Sequence, residues 1–206
     1  MSDPIEVLDF WLGEVGEDGW FAGGEVLDRQ IRDTFLEVWQ AARNGGLEHW
    51  VQSPAGALAY LVITDQMSRN MHRGRAEAFA TDALARAAAR RALAAGWDLQ
   101  VPEPERMFFY LPFEHSENPE DQAQAVALMI ERLPGDPEAA LHARVHQEVI
   151  RRFGRFPGRN AALGRADTPE EAAFQAAGGY AALVKAFSAS HAQAATSHGA
   201  DGVAGP

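Results

Sequence analysis

Glu114-His115-Ser116-Glu117 sets one histidine between carboxylates, the residue types that general acid–base chemistry needs. A carboxylate beside an imidazole raises its pKa and fixes its tautomer, so His115 is the candidate acid or base, oriented by Glu114 or Glu117. The same residues also read as a capping cluster in which Ser116 or Asn118 closes the next helix. A Ser-His-acid triad explains them poorly, because contiguous residues rarely bring a nucleophile and its base into mutual reach.

Two further segments carry charge in patterns that point to a site. In Asp65-Gln66-Met67-Ser68-Arg69-Asn70-Met71-His72-Arg73-Gly74, the inward stripe Leu58, Leu61 and Val62 continues at helical spacing to Asp65 and then Arg69, so charges arrive on a face that began as core. Asp65 and Arg69 either form a partly buried pair that fastens the helix end or deliver polar groups to a cavity. From Arg144 to Arg165 there are six arginines and one acid, Glu148, in a chain of net charge −11. Something negative belongs beside them, a ligand or the chain's own carboxylates. A planar guanidinium donates two parallel hydrogen bonds to phosphate or carboxylate, which makes Arg69, Asn70, Arg73, His146, Arg152, Arg155, Arg159, Asn160 and Arg165 the candidate contacts for a small anionic ligand. Only Lys185 among the basic residues is a lysine, so clustering carries this argument and arginine identity does not.

His142 and His146 lie four residues apart on a predicted helix, with both imidazoles on one face. Glu114, His115 or Glu117 could complete a zinc site, yet the helix lacks the glutamate that follows the first histidine in metalloproteases, and no metal is assigned. Nothing in the sequence names a cofactor. Phe153 and Phe156 alternate with arginines as in single-strand nucleic-acid binders, but two phenylalanines in a turn also serve as anchors. The overall acidity, with a pI near 5.0, argues against a nucleic-acid partner.

The elements that must position these residues are helices. Asp3-Pro4, Ser53-Pro54, Asn118-Pro119, Asp136-Pro137 and Thr168-Pro169 each place a capping side chain before a proline at the first helical position. After Glu25, the residues Leu27, Ile31, Phe35 and Val38 follow helical spacing up to Asn44-Gly45-Gly46. Further helices are predicted from Ser53, from Thr81 to Gly96, over Glu103–Tyr110 until Pro112 breaks it, and over 119–133, 137–153 and 169–184. No sustained period-two alternation points to a sheet. The expected fold is all-α, an irregular stack of antiparallel helix pairs. Residues 13–24 read as a structureless stretch whose Trp20 and Phe21 pack on the body. Residues 1–187 are expected to form one domain, and 188–206 a disordered Ala/Ser/Gly tail.

The 206 residues contain no Cys, which excludes disulfides, thiolate nucleophiles and Cys-ligated metals. The N-terminal residues lack the basic and apolar regions of a signal peptide, and no apolar run is long enough to span a membrane, so a cytoplasmic location is expected. The sequence does not specify an oligomeric state.

Several motifs in order resemble the bacterial family called domain of unknown function 924. They are Phe10-Trp11, Asp65-Gln66-Met67-Ser68-Arg69-Asn70 with Arg73-Gly74, Phe79-Ala80-Thr81-Asp82, Tyr110-Leu111-Pro112-Phe113-Glu114-His115-Ser116-Glu117, and Arg152-Phe153-Gly154-Arg155-Phe156-Pro157 with Arg159-Asn160 and Leu163-Gly164-Arg165. The resemblance reaches to about Phe174 and implies an all-helical fold of the TPR-like superfamily. The family pattern usually has His where this chain has Gly158: were that histidine the essential base, this member would be impaired, and were it only a supporting residue, little would change.

Three functional readings are open. In the first, Asp65, Glu114, His115 and Glu117 form the catalytic set of a pocket for a small anionic ligand, with hydrolase or transferase chemistry. In the second, the same groove is a TPR-like peptide-binding module without catalysis. In the third, the carboxylates pair internally with the arginines and leave no ligand space.

Overall fold

A computed structural model describes residues 3–199, with side chains described for 3–190. The chain is all-α, and no strand occurs among the described residues. Its α-helices are α1 Pro4–Leu8, α2 Gly16–Trp20, α3 Glu25–Arg43, α4 Pro54–Leu61, α5 Ser68–Met71, α6 Asp82–Ala94, α7 Leu111–Glu114, α8 Pro119–Arg132, α9 Pro137–Phe153, α10 Pro169–Ala176 and α11 Gly179–Gly199. All five cap-and-proline signals open a helix. Asp3, Ser53, Asn118, Asp136 and Thr168 each accept from a backbone N–H of the first turn. Thr168 and Glu171 close a full capping box. α3 buries Ile31, Phe35, Val38, Trp39 and Ala42 as its periodicity requires, and ends at the left-handed Gly45.

Three local expectations are corrected. Residues 13–24 are largely helical, because a π-helix over Asp9–Val15 joins α1 to α2. The cause is tertiary: Trp20 is buried, donates its indole N–H to the Trp11 carbonyl at 2.8 Å and meets Phe108 edge-on at 4.8 Å. The short helix expected over 103–110 is a 3-10 helix, Glu105–Phe109, and Pro112 beyond it sits in the first turn of α7, where its missing N–H costs nothing. The helix expected over 169–184 is two, α10 and α11, parted at Gly178 and Gly179, whose φ values of 98° and 53° favour glycine. α11 spans Gly179–Gly199, and residues 200–206 of the expected tail lie outside the described residues.

The helix from Ser53 is continuous as far as Met71, with a π-helical segment over Val62–Met67 between α4 and α5. Nearly every residue along it is buried. Among the described residues, most buried apolar side chains fall into two clusters. The larger runs from Val7 to Ala143 and includes this helix, and the smaller gathers Val145, Val149, Ile150, Phe156 and Leu183. α9 contributes its first half to one and its second half to the other, packing on α8 and α11. His142 and His146 therefore sit where the two clusters meet.

Candidate functional site

Asp65 lies on the π-helical segment and is 1 % exposed. A π-helical turn adds a residue to a helix and re-aims the side chains beyond it, and such turns recur at functional sites. Asp65 Oδ1 takes Arg69 Nη1 at 3.0 Å, and both its oxygens contact His115 Nδ1, at 3.0 and 2.9 Å. Burial alone would raise the Asp65 pKa, but Arg69, His115 and Gln66 outweigh it and hold the carboxyl well below the usual range. His115 caps the C-terminus of α7. Burial pulls its pKa below the ordinary imidazole value, assisted by Arg69 and opposed by Asp65 and Glu114. Both partners of Nδ1 are carboxylate oxygens, so Nδ1 carries the hydrogen and Nε2 of the neutral ring carries the lone pair.

Glu114 serves a different histidine. Its carboxylate, 4 % exposed, meets His146 Nδ1 at 2.9 Å. Burial opposes ionisation there too, and His146 overcomes it, leaving the Glu114 pKa below its ordinary value. The His142 carbonyl also lies 3.0 Å from His146 Nδ1. Acceptors on that nitrogen again leave Nε2 as the basic one. The Tyr180 hydroxyl completes the group, 2.6 Å from His142 Nδ1 and 3.3 Å from His146 Nδ1. Burial raises the Tyr180 pKa, so it remains a phenol.

The His115 and His146 rings stand edge to face with centroids 6.2 Å apart. They share the wall of a cavity of about 490 Å³. Glu114, His142 and Tyr180 complete its polar side, while Met107, Leu111, Met129 and Ala139 form its apolar side. Phe21, Asp136 and Glu138 also line it, and the exposure of Phe21 and Glu138 marks its mouth. Among the described residues, no arginine lines it, and no group of three His, Asp or Glu side chains is arranged to hold a metal ion.

The arginines assigned to an anion are engaged by carboxylates. Arg73 donates twice to Asp28, which also takes Asn70, at the junction of α3 and α5. Arg151 and Arg152 pair with Glu148 on the surface. Arg155 forks onto Glu171 at 2.6 and 2.7 Å, and Asn160 joins Glu171 and Asp167. Arg165 forks onto Glu117 at 2.8 and 2.9 Å, and Glu117 also accepts the Phe156 N–H. Glu117 therefore makes its contacts with the basic segment and Glu114 with His146, so Asp65 is the carboxylate on His115 Nδ1.

Arg69 and Arg159 remain beside the histidines. Arg159 donates to the His115 carbonyl at 2.8 Å, approaches Asp82 at 3.4 Å, and lies between the Phe79 and Phe156 rings at 4.6 and 4.5 Å. Its burial, and then the nearby Arg69, lower its pKa to about 10. Phe156 also touches the His146 ring, with centroids 5.5 Å apart. The basic segment thus reaches both histidines from behind, through Arg159 to one and Phe156 to the other. Gly158 is exposed, and a Cβ there would meet nothing within 4 Å, so neither carboxylate–histidine pair depends on that position.

Asp82 and Tyr180 were not assigned to the site from sequence. Asp82 falls in the Phe79-Ala80-Thr81-Asp82 motif, the only signal that could have marked it, and Tyr180 directly follows the Gly178-Gly179 break. The apolar wall gave no signal, because Met107, Leu111 and Met129 look like any core residues.

A family model described as "Bacterial protein of unknown function (DUF924)" matches residues 7–179. A solved structure, that of a protein of unknown function, ATU0120, from Agrobacterium tumefaciens, superposes with a TM-score of 0.78 at 38 % identity, covering 84 % of this chain and 96 % of the other. None of the curated proteins matches the chain. No helix among the described residues is long and apolar enough to cross a membrane.

Proposed function

As a member of the bacterial family of unknown function DUF924, to which the chain belongs, the protein inherits no reaction from its relatives, and from its own geometry we propose an acid–base hydrolase for a small molecule. The observation that carries the proposal is the meeting of two carboxylate–histidine pairs, Asp65–His115 and Glu114–His146, at the polar wall of one cavity. Each carboxylate fixes its ring with Nε2 as the base and stabilises the imidazolium formed when that nitrogen takes a proton.

Among the described residues, no Ser, Thr or Cys lines the cavity, and the Ser116 hydroxyl is given to Asp121 at 2.7 Å. Water is therefore the nucleophile this site can activate. His115 Nε2 removes a proton from it as its oxygen attacks and, as the imidazolium, returns that proton to the leaving group, while His146 Nε2 accepts the second hydrogen of the water and orients it. The volume lies within the roughly 300–1,000 Å³ of small-molecule sites and favours a compact substrate over the extended peptide of a TPR-like module. The arginine clustering suggests an anionic ligand. Among the described residues, no arginine lines the cavity, and Arg69 and Arg159 beside His115 already hold Asp82. A neutral substrate with an apolar body suits the lining better.

The test is hydrolysis of a panel of neutral esters and amides with apolar bodies by the purified protein and by His115→Ala and His146→Ala. Each substitution is expected to lower kcat by about 10²–10⁴-fold. Turnover that survives both would remove the histidines from the chemistry.

A further inference from the structure

Phe21 is a residue of the cavity lining that the acid–base reading does not use. Its side chain is 66 % exposed although it is among the larger apolar groups in the chain. Isolated exposed phenylalanines are ordinary on protein surfaces. This one lines a cavity, and the backbone on either side of it is fixed by its neighbours. Its neighbour Trp20 is pinned through the indole bond to Trp11 and the edge contact with Phe108. Beyond it the chain turns through Gly23 and Gly24, with φ values of 65° and 127°. Arg73, fixed by its fork onto Asp28, lies against that turn: a Cβ on Gly23 would sit 3.2 Å from Arg73 Nη2. The Asp28–Asn70–Arg73 cluster thus backs the turn that follows Phe21.

Met107, Leu111 and Met129 line the same cavity. Thioether side chains adapt to the shape they meet and pack well on ring edges, whereas a phenyl ring held at one place offers a flat face. We infer that Phe21 is a specificity-determining residue that stacks on the substrate, and that the substrate is a small neutral molecule with an aromatic body. The polar group of that molecule lies toward His115 and His146. This inference rests on the cavity being the substrate site and adds the class of molecule it selects.

The experiment measures binding of two probes, 4-fluorobenzyl alcohol by its ¹⁹F signal and cyclohexylmethanol by competition, to the wild type, Phe21→Ala, Phe21→Leu and Ala139→Leu. Ala139 lines the cavity from a half-buried position on α9, so the added bulk narrows the cavity. The wild type is expected to prefer the aromatic alcohol. Phe21→Ala should weaken that probe by about tenfold and abolish the preference, with Phe21→Leu between the two. Ala139→Leu should weaken both probes. Loss of binding in Ala139→Leu with none in Phe21→Ala overturns the role of Phe21 and leaves the cavity reading standing. Binding that ignores Ala139→Leu, or no binding by the wild type, overturns both.

Discussion

His115 and His146 meet edge to face with ring centroids 6.2 Å apart, and each turns Nδ1 toward a different buried carboxylate, Asp65 for one and Glu114 for the other. Adjacent residues in sequence, Glu114 and His115, thus belong to separate pairs. A folded protein gains little from burying two such pairs side by side, because desolvating each charge offsets most of its attraction to its partner. An arrangement of this kind around a cavity is where perturbed titration and chemistry coincide.

The first prediction concerns the electrostatics of His115. In the wild type its ring should titrate below the ordinary imidazole value, since burial dominates. Asp65→Asn removes the negative charge that supports the imidazolium and leaves Arg69 beside it. The midpoint, followed through the ring Cε1–H signal, should then move further down. An upward move would mean that Asp65 does not govern His115.

Arg155 decides between a ligand-binding and a scaffolding role for the basic segment. Its fork holds Glu171, which is 1 % exposed and also closes the capping box of α10. Arg155→Met should lower Tm clearly, because an unpaired buried carboxylate is left behind. Arg155→Met with Glu171→Met should recover most of the loss, since the destabilisation comes from the widowed charge. An Arg155→Met protein as stable as the wild type would return this arginine to the ligand-binding set.

Stability should fall on the acid side in two stages. His115 and His72 both have folded pKa values lowered by burial, so the unfolded chain binds their protons more readily. Their contribution is complete above the unfolded imidazole value of about 6.5 and declines as pH falls from there through the folded values. Asp65, Glu114 and Asp28 have lowered carboxyl pKa values. They stabilise the fold above the unfolded carboxylate range and lose that contribution as pH falls through their folded values. Asp82, raised by burial, works the opposite way. Urea unfolding at pH 8 and pH 5.5 should show the first stage before any carboxylate of ordinary pKa is protonated. Equal stability at the two values would contradict it.

Gly56 tests the base of the helix that carries Asp65. A Cβ there would sit 2.2 Å from the Trp50 carbonyl oxygen and 3.0 Å from Ser53 Oγ. Gly56→Ala forces backbone to move in a close-packed region, an overpacking cost of about 1–3 kcal/mol. Urea melts followed by tryptophan fluorescence would measure it, and a neutral substitution would show that α4 shifts freely against Trp50.

Much of the fold was legible because it is written in local chemistry. A capping oxygen before Pro4, Pro54, Pro119, Pro137 or Pro169 satisfies backbone donors of its own first turn and needs no distant partner. The stripe from Leu58 to Asp65 and Arg69 was equally plain, since the residues share one face of one helix. Residues 13–24 were misread for the complementary reason. With Gly13, Gly16, Gly19, Gly23 and Gly24 they carry little helical propensity, and their helical turns stand on the burial of Trp11 and Trp20 against Phe108.

By itself, then, the sequence determined the all-α class, most of the helices with the caps that start five of them, the family and the three polar motifs, because each is an interaction within a few residues or a pattern along the chain. Tertiary structure alone decided the partners. It set Asp65, 50 residues upstream, on His115, brought Glu117 to Arg165 across 48 and Arg73 to Asp28 across 45, and opened a cavity between two apolar clusters. A charge reads the same in sequence whether it meets a ligand or a distant carboxylate. Only packing, by choosing which groups are taken out of water together, separates the two.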